Sequence, residues 1–359
     1  MSWRETTLGE ITDLKRGFDL PKSQRLQGDV PVYSSSGITG SNSTAAVEGP
    51  CVITGRYGTI GEVFFSGGPC WPLNTALYST EFNGNNPRFI YYLLQTIPWQ
   101  GYTTASAVPG VNRNHVNLCP VKIPDRATQD AIVEVLDSIV DKIALNNRLN
   151  DYLADLCETI AGKYCNDRNS CLRDICYQVT DHVDYGNANQ ETYVSTESLM
   201  QNKGGRQLAS SLPTTGKITR YRIGDTLISN IRPYFKKIWY APFEGTCSGD
   251  VIVFRANDPS NAPYLHACLR QDSFFDYVMQ GAKGTKMPRG DKKQMMEFKV
   301  ASSCSTKDLI LLDSAIKQRS DNDSETVKLQ ALRDTLLPKL MSGEIDVSKV
   351  DLTQLTNNH

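Results

Sequence analysis

Charge bias is missing from this chain: 38 lysines and arginines stand against 39 aspartates and glutamates, for a net charge of −1. A protein that grips polyanions through an all-basic surface is excluded, so any anionic partner has to be met by local patches. No stretch approaches the roughly 18 apolar residues needed to cross a bilayer, and the opening Met1-Ser2-Trp3-Arg4-Glu5 is too polar for a signal peptide. The expectation is a cytoplasmic protein with no membrane partner. Histidine is scarce, at four residues, and the ten cysteines include no Cys-x-x-Cys pair. No metal site is expected, and the thiols read as buried and reduced. There is no Gly-x4-Gly-Lys-Ser/Thr loop for ATP. Methyl transfer to adenine would need an Asn/Asp-Pro-Pro-aromatic motif, and Asn86-Pro87-Arg88-Phe89 lacks the second proline. Gly55-x-x-Gly58-x-x-Gly61 is not the dinucleotide fingerprint. The chain is expected to be non-catalytic, with no cofactor of its own.

What the chain does contain is a repeat of its own plan. Val135-Leu136-Asp137-Ser138 returns as Leu311-Leu312-Asp313-Ser314, and at the same offset Leu153, Leu156, Thr159 and Lys163 fall on Leu329, Leu332, Thr335 and Lys339. Upstream, Pro87-Arg88-Phe89-Ile90-Tyr91-Tyr92-Leu93 parallels Pro263-Tyr264-Leu265-His266-Ala267-Cys268-Leu269, and Val108-Pro109 parallels Met287-Pro288. The period far exceeds the roughly 20–50 residues of a solenoid unit. It describes two domain-plus-helix modules in tandem.

The fold expected is α+β: two similar globular domains, 1–123 and 166–303, alternating with two long helices, 124–165 and 304–345, and a flexible tail at 346–359. Strands are expected near Pro50 to Thr54, Glu62 to Phe65, Ala76 to Tyr78, Thr226 to Ile231, Lys237 to Tyr240 and Asp250 to Phe254, with shorter helices opening at Pro87 and over 263–280. Ile132, Leu136, Ile139 and Ile143, then Leu153, Cys157 and Ile160, keep a 4-3-4 spacing with Asn146 and Asn150 in the same seam. That is a heptad stripe, in which a buried Asn fixes register at a cost in stability. A helix over 125–162 would be roughly 57 Å long and wants a helical partner. Leu309, Leu312 and Ile316, then Leu329, Leu332, Leu336 and Leu340, offer one. The polar stretch Ser320-Asp321-Asn322-Asp323-Ser324 reads as a break or loop between these halves, and Pro338 as a kink or an end. Helices separated by a globular domain pack most simply antiparallel, as a coiled coil.

Charge is segregated on this plan. The two globular segments carry 27 bases against 22 acids, and the remainder 11 against 17. Between 203 and 242, eight bases face the single acid Asp225. This pattern is compatible with DNA, or with solvated basic strand faces.

The chain resembles the DNA-specificity subunit of type I restriction-modification systems over nearly its whole length. The likeness is carried by Trp3-x4-Leu8-Gly9-Glu10-Ile11, Pro31-Val32-Tyr33-Ser34-Ser35-Ser36-Gly37, and Gly55-Arg56-Tyr57-Gly58-Thr59-Ile60-Gly61 with its counterpart Ser229-Asn230-Ile231-Arg232-Pro233-Tyr234-Phe235-Lys236-Lys237. Ile123-Pro124 leading to Gln129-x2-Ile132-x3-Leu136-Asp137, and Leu336-Leu337-Pro338-Lys339-Leu340-Met341-Ser342-Gly343-Glu344-Ile345, complete it. The second helix lacks the clean Pro-x4-Gln entry of the first, Pro124 to Gln129, so its start is not defined by motif. The resemblance implies two target-recognition domains on an antiparallel coiled coil. It implies binding to double-stranded DNA; the divergence of the two domains makes the expected bipartite site asymmetric, and a rod of roughly 57 Å suits half-sites about 34 Å apart. It also implies assembly with two adenine-N6 methyltransferase subunits and with restriction/translocase subunits, so that S-adenosylmethionine and ATP/Mg²⁺ belong to those partners.

Candidate DNA contacts follow from side-chain chemistry. Arg and Lys grip phosphates, while Arg, Asn, Gln and Lys also read base edges. Arg56 and Tyr57 sit on the glycine-rich turn. Asn112, Arg113, Asn114 and His115 follow the Val108-Pro109-Gly110 turn and are either base readers or an exposed polar loop. Lys283, Lys286, Arg289, Lys292 and Lys293 occupy the equivalent stretch of the second module. Arg232, Tyr234, Lys236 and Lys237 form a third candidate surface, with Tyr234 open to a core role instead. Rival readings are a specificity module of another methylation-based defence system, a scaffold that joins partners without reading sequence, and an enzyme. Base-specific protection excludes the scaffold, and an activity assay on the isolated chain tests the enzyme.

Overall fold

The computed structural model describes residues 3–103, 110–164, 167 and 169–350. Val108-Pro109 of the repeat, Cys165 and the tail from 351 onward lie outside the described residues. The chain divides into two compact units, Met1–Ala144 with Val327–His359, and Leu145–Thr326.

In the first unit Trp3–Thr7 pairs antiparallel with Pro120–Pro124, which brings both ends of the head to the start of the first long helix. Lys15–Arg16, Ala76–Ser79, Cys51–Gly55 and Val63–Ser66 form a four-stranded antiparallel sheet in that spatial order. Every residue of Cys51–Gly55 and Ala76–Ser79 is buried, so these strands read as short apolar runs rather than alternating ones. A smaller sheet joins Gly37–Asn42, Val30–Ser34 and Trp71–Pro72, the last pair parallel. Helix Pro87–Gln95 begins where the residue types direct: the Asn86 side chain accepts from the amides of Arg88 and Phe89 (2.8 and 3.3 Å), and Pro87 takes the first helical position. Phe89, Ile90, Tyr92, Leu93 and Leu94 form its buried face.

The second unit repeats the order of the four-stranded sheet, while its second sheet has four strands rather than three. Cys176–Gln178, Val251–Ala256, Thr226–Ser229 and Ile238–Tyr240 form a four-stranded antiparallel sheet in the corresponding order. A second sheet orders His182–Asp184, Lys217–Tyr221, Gly245–Cys247 and Tyr193–Val194, again closing on a parallel pair. Ser170–Cys171 pairs with Lys299–Val300 as Trp3–Thr7 does with Pro120–Pro124. The helix expected over 263–280 is two helices, Ala262–Leu269 and Asp272–Gln280. Gln271 between them takes extended backbone, with φ −64° and ψ 143°.

The two long helices, Arg126–Gly162 and Thr306–Ser342, contain 37 residues each. Asp125 opens the first, its carboxylate accepting from the Thr128 amide at 3.0 Å. Ser305 opens the second, its hydroxyl accepting from the Asp308 amide at 3.2 Å. The missing Pro-x4-Gln entry is thus replaced by an ordinary serine cap. In the first unit Ile139 and Ile143 pack against Leu329, Leu332 and Leu336, while Ile132 and Leu136 share a core with Leu340 and Met341. In the second unit Cys157 and Ile160 pack with Leu312 and Ile316, and Leu153 lies against the same cluster. Residue numbers rise along one helix as they fall along the other, so the pairing in each unit is antiparallel. A leucine wholly buried in such a seam, as Leu136 and Leu312 are, contributes about 1.5–3 kcal/mol relative to exposure.

The expected break at 320–324 does not occur. The second helix runs through it because its polar residues have partners on the first: Asn322 Nδ2 donates to Asn150 Oδ1 (2.8 Å), and Asn150 Nδ2 to Asp323 Oδ1 (2.7 Å). Asn146 Nδ2 donates to Glu325 Oε2 at 2.7 Å. Pro338 does not end the helix either, which continues to Ser342 and stops at Gly343, where φ is 76°. Within the tail expected at 346–359, Val347–Lys349 form a short 3₁₀ helix. Val347 is buried and packs in the first unit's core, with Trp3, Ile345 and Val350 at its margin.

Candidate nucleic-acid interface

In the first head the strand Cys51–Gly55 leads into a turn that the glycines permit, Gly58 and Gly61 having φ of 79° and 94°. The amides of Arg56 and Tyr57 both donate to the Thr75 carbonyl (2.9 and 3.2 Å), and the Val111 amide donates to the Arg56 carbonyl at 2.9 Å. Two stretches more than fifty positions apart in sequence therefore meet. Glycine at 110 leaves room for the Tyr57 ring, since an added Cβ would stand 2.3 Å from it. The Arg56 guanidinium lies over that ring, 4.6 Å from its centroid.

Around this junction is an open groove of about 740 Å³ lined by Lys15, Arg16, Arg56, Tyr57, Asn112, Arg113 and Asn114, with no carboxylate among its lining residues. Asn112 caps the short helix Arg113–Val116 by accepting from the Asn114 amide at 3.0 Å, so its carbonyl oxygen is committed locally. Arg113 and Asn114 are exposed. His115 is exposed on the same turn but does not line the groove. Lys15 pairs with Glu81; among the described residues Arg16, Arg56 and Arg113 have no carboxylate partner. Lys15 and Arg16 are absent from the sequence expectations. An adjacent basic pair on a short strand was the available signal, but its value depends on Lys15–Arg16 lying beside Ala76–Ser79.

The second head brings together the equivalent stretches. The Arg232 amide donates to the Pro288 carbonyl at 2.8 Å, and Ile231 and Lys283 both bridge to Arg289. Asp291 caps Lys292–Met296, as Asn112 caps its counterpart, by accepting from the amides of Lys293 and Gln294. Arg232 is half-buried, and Tyr234 is 46% exposed rather than a core residue. Lys286, Lys292 and Lys293 are exposed. Lys283 lies 3.6 Å from Asp291, and Arg289 lies 3.2 Å from Asp250.

Lys236 and Lys237 are engaged internally. Lys236 forms an ion pair with Asp272 at 2.8 Å, which, with Lys203 behind it, holds the Asp272 carboxyl below the usual carboxylate range. Lys237 donates to the Thr196 carbonyl, and burial lowers its pKa. Their amines serve the head's own structure, which the density of bases in the sequence did not reveal.

The seam residues form no part of this surface. Ile132, Leu136, Ile139, Ile143, Asn146, Asn150, Ile160, Leu312, Ile316 and Leu329 are buried, and Leu153, Leu332 and Leu336 partly so. Leu145, Leu149, Tyr152 and Leu156 instead leave an apolar stripe on the first long helix, each 38–64% exposed. Among the described residues no helix is long and apolar enough to cross a membrane.

Each compact unit holds one α+β head together with segments of both long helices. Residues 1–155 match the family described as the type I restriction modification DNA specificity domain. The chain is 19% identical to the type I restriction enzyme EcoDI specificity subunit of Escherichia coli, over 84% of its own length and 77% of that protein. Its fold is similar to the crystal structure of the type I restriction-modification S subunit of M. genitalium, with a TM-score of 0.60, 16% identity, and coverage of 95% of this chain and 96% of the other. The chain is thus similar to type I restriction-modification specificity subunits, in its N-terminal domain by family model and along most of its length by fold.

Proposed function

We propose that this subunit reads a bipartite, asymmetric DNA sequence, one half with each head, while holding two adenine-N6 methyltransferase subunits and the restriction/translocase subunits on the site. The observation that carries this reading is that each head gathers its two candidate loops onto one surface by the same topology, with different side chains. Arg56, Tyr57, Arg113 and Asn114 stand in one, and Arg232, Tyr234, Lys283 and Arg289 in the other. Equal placement with unequal chemistry is what two different half-sites require. The family's specificity subunits are non-catalytic, so S-adenosylmethionine and ATP/Mg²⁺ are assigned to the partners. The stripe of Leu145, Leu149, Tyr152 and Leu156, at helical 4-3-4 spacing, supports docking of a partner helix.

The test is methylome sequencing of a host expressing the assembled complex. The expected result is N6-methyladenine in two short half-sites of different sequence, separated by a non-specific spacer. A continuous palindromic motif overturns the proposal.

A further inference from the structure

The second head contains a fastening that neither its core nor its exposed surface accounts for. Five non-glycine residues have positive φ among the described residues, and four of them lie here: Asn202 (55°), Lys203 (61°), Arg232 (50°) and Lys236 (49°). Such backbone is disfavoured for any residue with a Cβ and persists where the surroundings over-determine it. The surroundings are specific. The Asn202 amide donates to the Phe235 carbonyl (2.8 Å) and the Lys203 amide to the Lys236 carbonyl (2.9 Å), so one strained turn is zipped to the other. The Lys203 side chain, only 11% exposed, lies 3.0 Å from Glu158 of the first long helix and 2.9 Å from Asp272. Asp272 in turn takes Lys236. Arg270, 7% exposed, donates to the Lys203 carbonyl at 3.1 Å and lies 3.3 Å from Glu158.

We infer that Lys203 and Glu158 are positioning residues for DNA reading: a carboxylate on the long helix, through Lys203, sets the conformation of the 232–237 turn that presents Arg232 and Tyr234. This rests on the proposed reading that the turn faces DNA. A single network joins the helix (Glu158), the supporting turn (Lys203) and the presenting turn (Lys236). The last two are held in backbone conformations they would leave if the network were cut. Fidelity of one half-site then depends on a residue outside the head's own sheets.

The test uses the assembled complex with Lys203→Met, which leaves Glu158 paired with Arg270 and so spares the buried guanidinium. The expected methylome shows one half-site relaxed at one or more bases, by about fivefold or more in discrimination. The other half-site should be unchanged and the unfolding temperature close to that of the parent. Lys203→Arg should restore most of the discrimination. Amide exchange at residues 203 and 236 should quicken in Lys203→Met. Unchanged exchange, or unchanged discrimination in a folded complex, overturns the inference. So does parallel loss at both half-sites together with a lowered unfolding temperature, which marks a merely structural bridge. A parent complex lacking a bipartite motif removes the proposed function instead, while the exchange measurement still decides the fastening.

Discussion

Removing the three arginines of the first head's groove should flatten the salt dependence of DNA binding. Lys15 is neutralised by Glu81, so the cations available to a phosphate backbone are Arg16, Arg56 and Arg113. Each phosphate neutralised adds about 0.9 to the slope of log K against log salt on duplex DNA. If all three meet phosphates, their contribution is about 2.7. Between 50 and 200 mM salt that amounts to roughly a 40-fold change in affinity, which Arg16→Ala/Arg56→Ala/Arg113→Ala should lose. Fluorescence anisotropy of the assembled complex on cognate and scrambled duplexes, at four salt concentrations, measures both slope and discrimination. An arginine that meets phosphate weakens both duplexes alike. One that reads a base edge weakens the cognate duplex selectively, by about 1–3 kcal/mol. A triple variant whose slope matches the parent's on both duplexes refutes the assignment of the groove to DNA. Lys236→Ala/Lys237→Ala, the substitutions that base density alone recommends, should change the slope less, because both amines already have partners within the head.

Asn150→Ala should destabilise the second unit by roughly 1–3 kcal/mol in urea unfolding, because the Asn322 amide nitrogen, 4% exposed as a residue, loses its acceptor. Asn150→Leu combined with Asn322→Leu and Asp323→Leu, which removes both partners of Asn150, should recover most of that loss, and a triple variant as unstable as Asn150→Ala would show that the polar cluster is not the source of the loss. Gly110→Ala should lower DNA affinity while leaving the unfolding temperature within a few degrees, since the added methyl displaces Tyr57 on the surface rather than in the core. Unchanged affinity would separate this ring from the interface.

The seam was legible because heptad spacing is a local property: Ile132, Leu136, Ile139 and Ile143 point to one face of any helix that contains them. The stretch 320–324 is helical although its residue types predict a break, because helix propensity penalises isolated Asn, Asp and Ser whereas each side chain's cost depends on what faces it. Asn322 and Asp323 face Asn150, which lies more than 170 positions earlier. The loops expected to touch DNA were placed by residue type, and the fold brings them together in each head. Residue type could not show that Lys236 and Lys237 are held by Asp272 and Thr196, nor that Asn112 is a helix cap.

The sequence by itself determined the doubled plan, the two long helices and the apolar seam, because periodicity and repetition are written at short range and survive divergence of the loops. Only the tertiary structure decided which cations are free, where the second helix continues, and that Arg16 shares a groove with Arg113. Ion pairing and groove formation depend on distances between residues that the chain order leaves far apart, and those distances are set by the sheet order common to both heads.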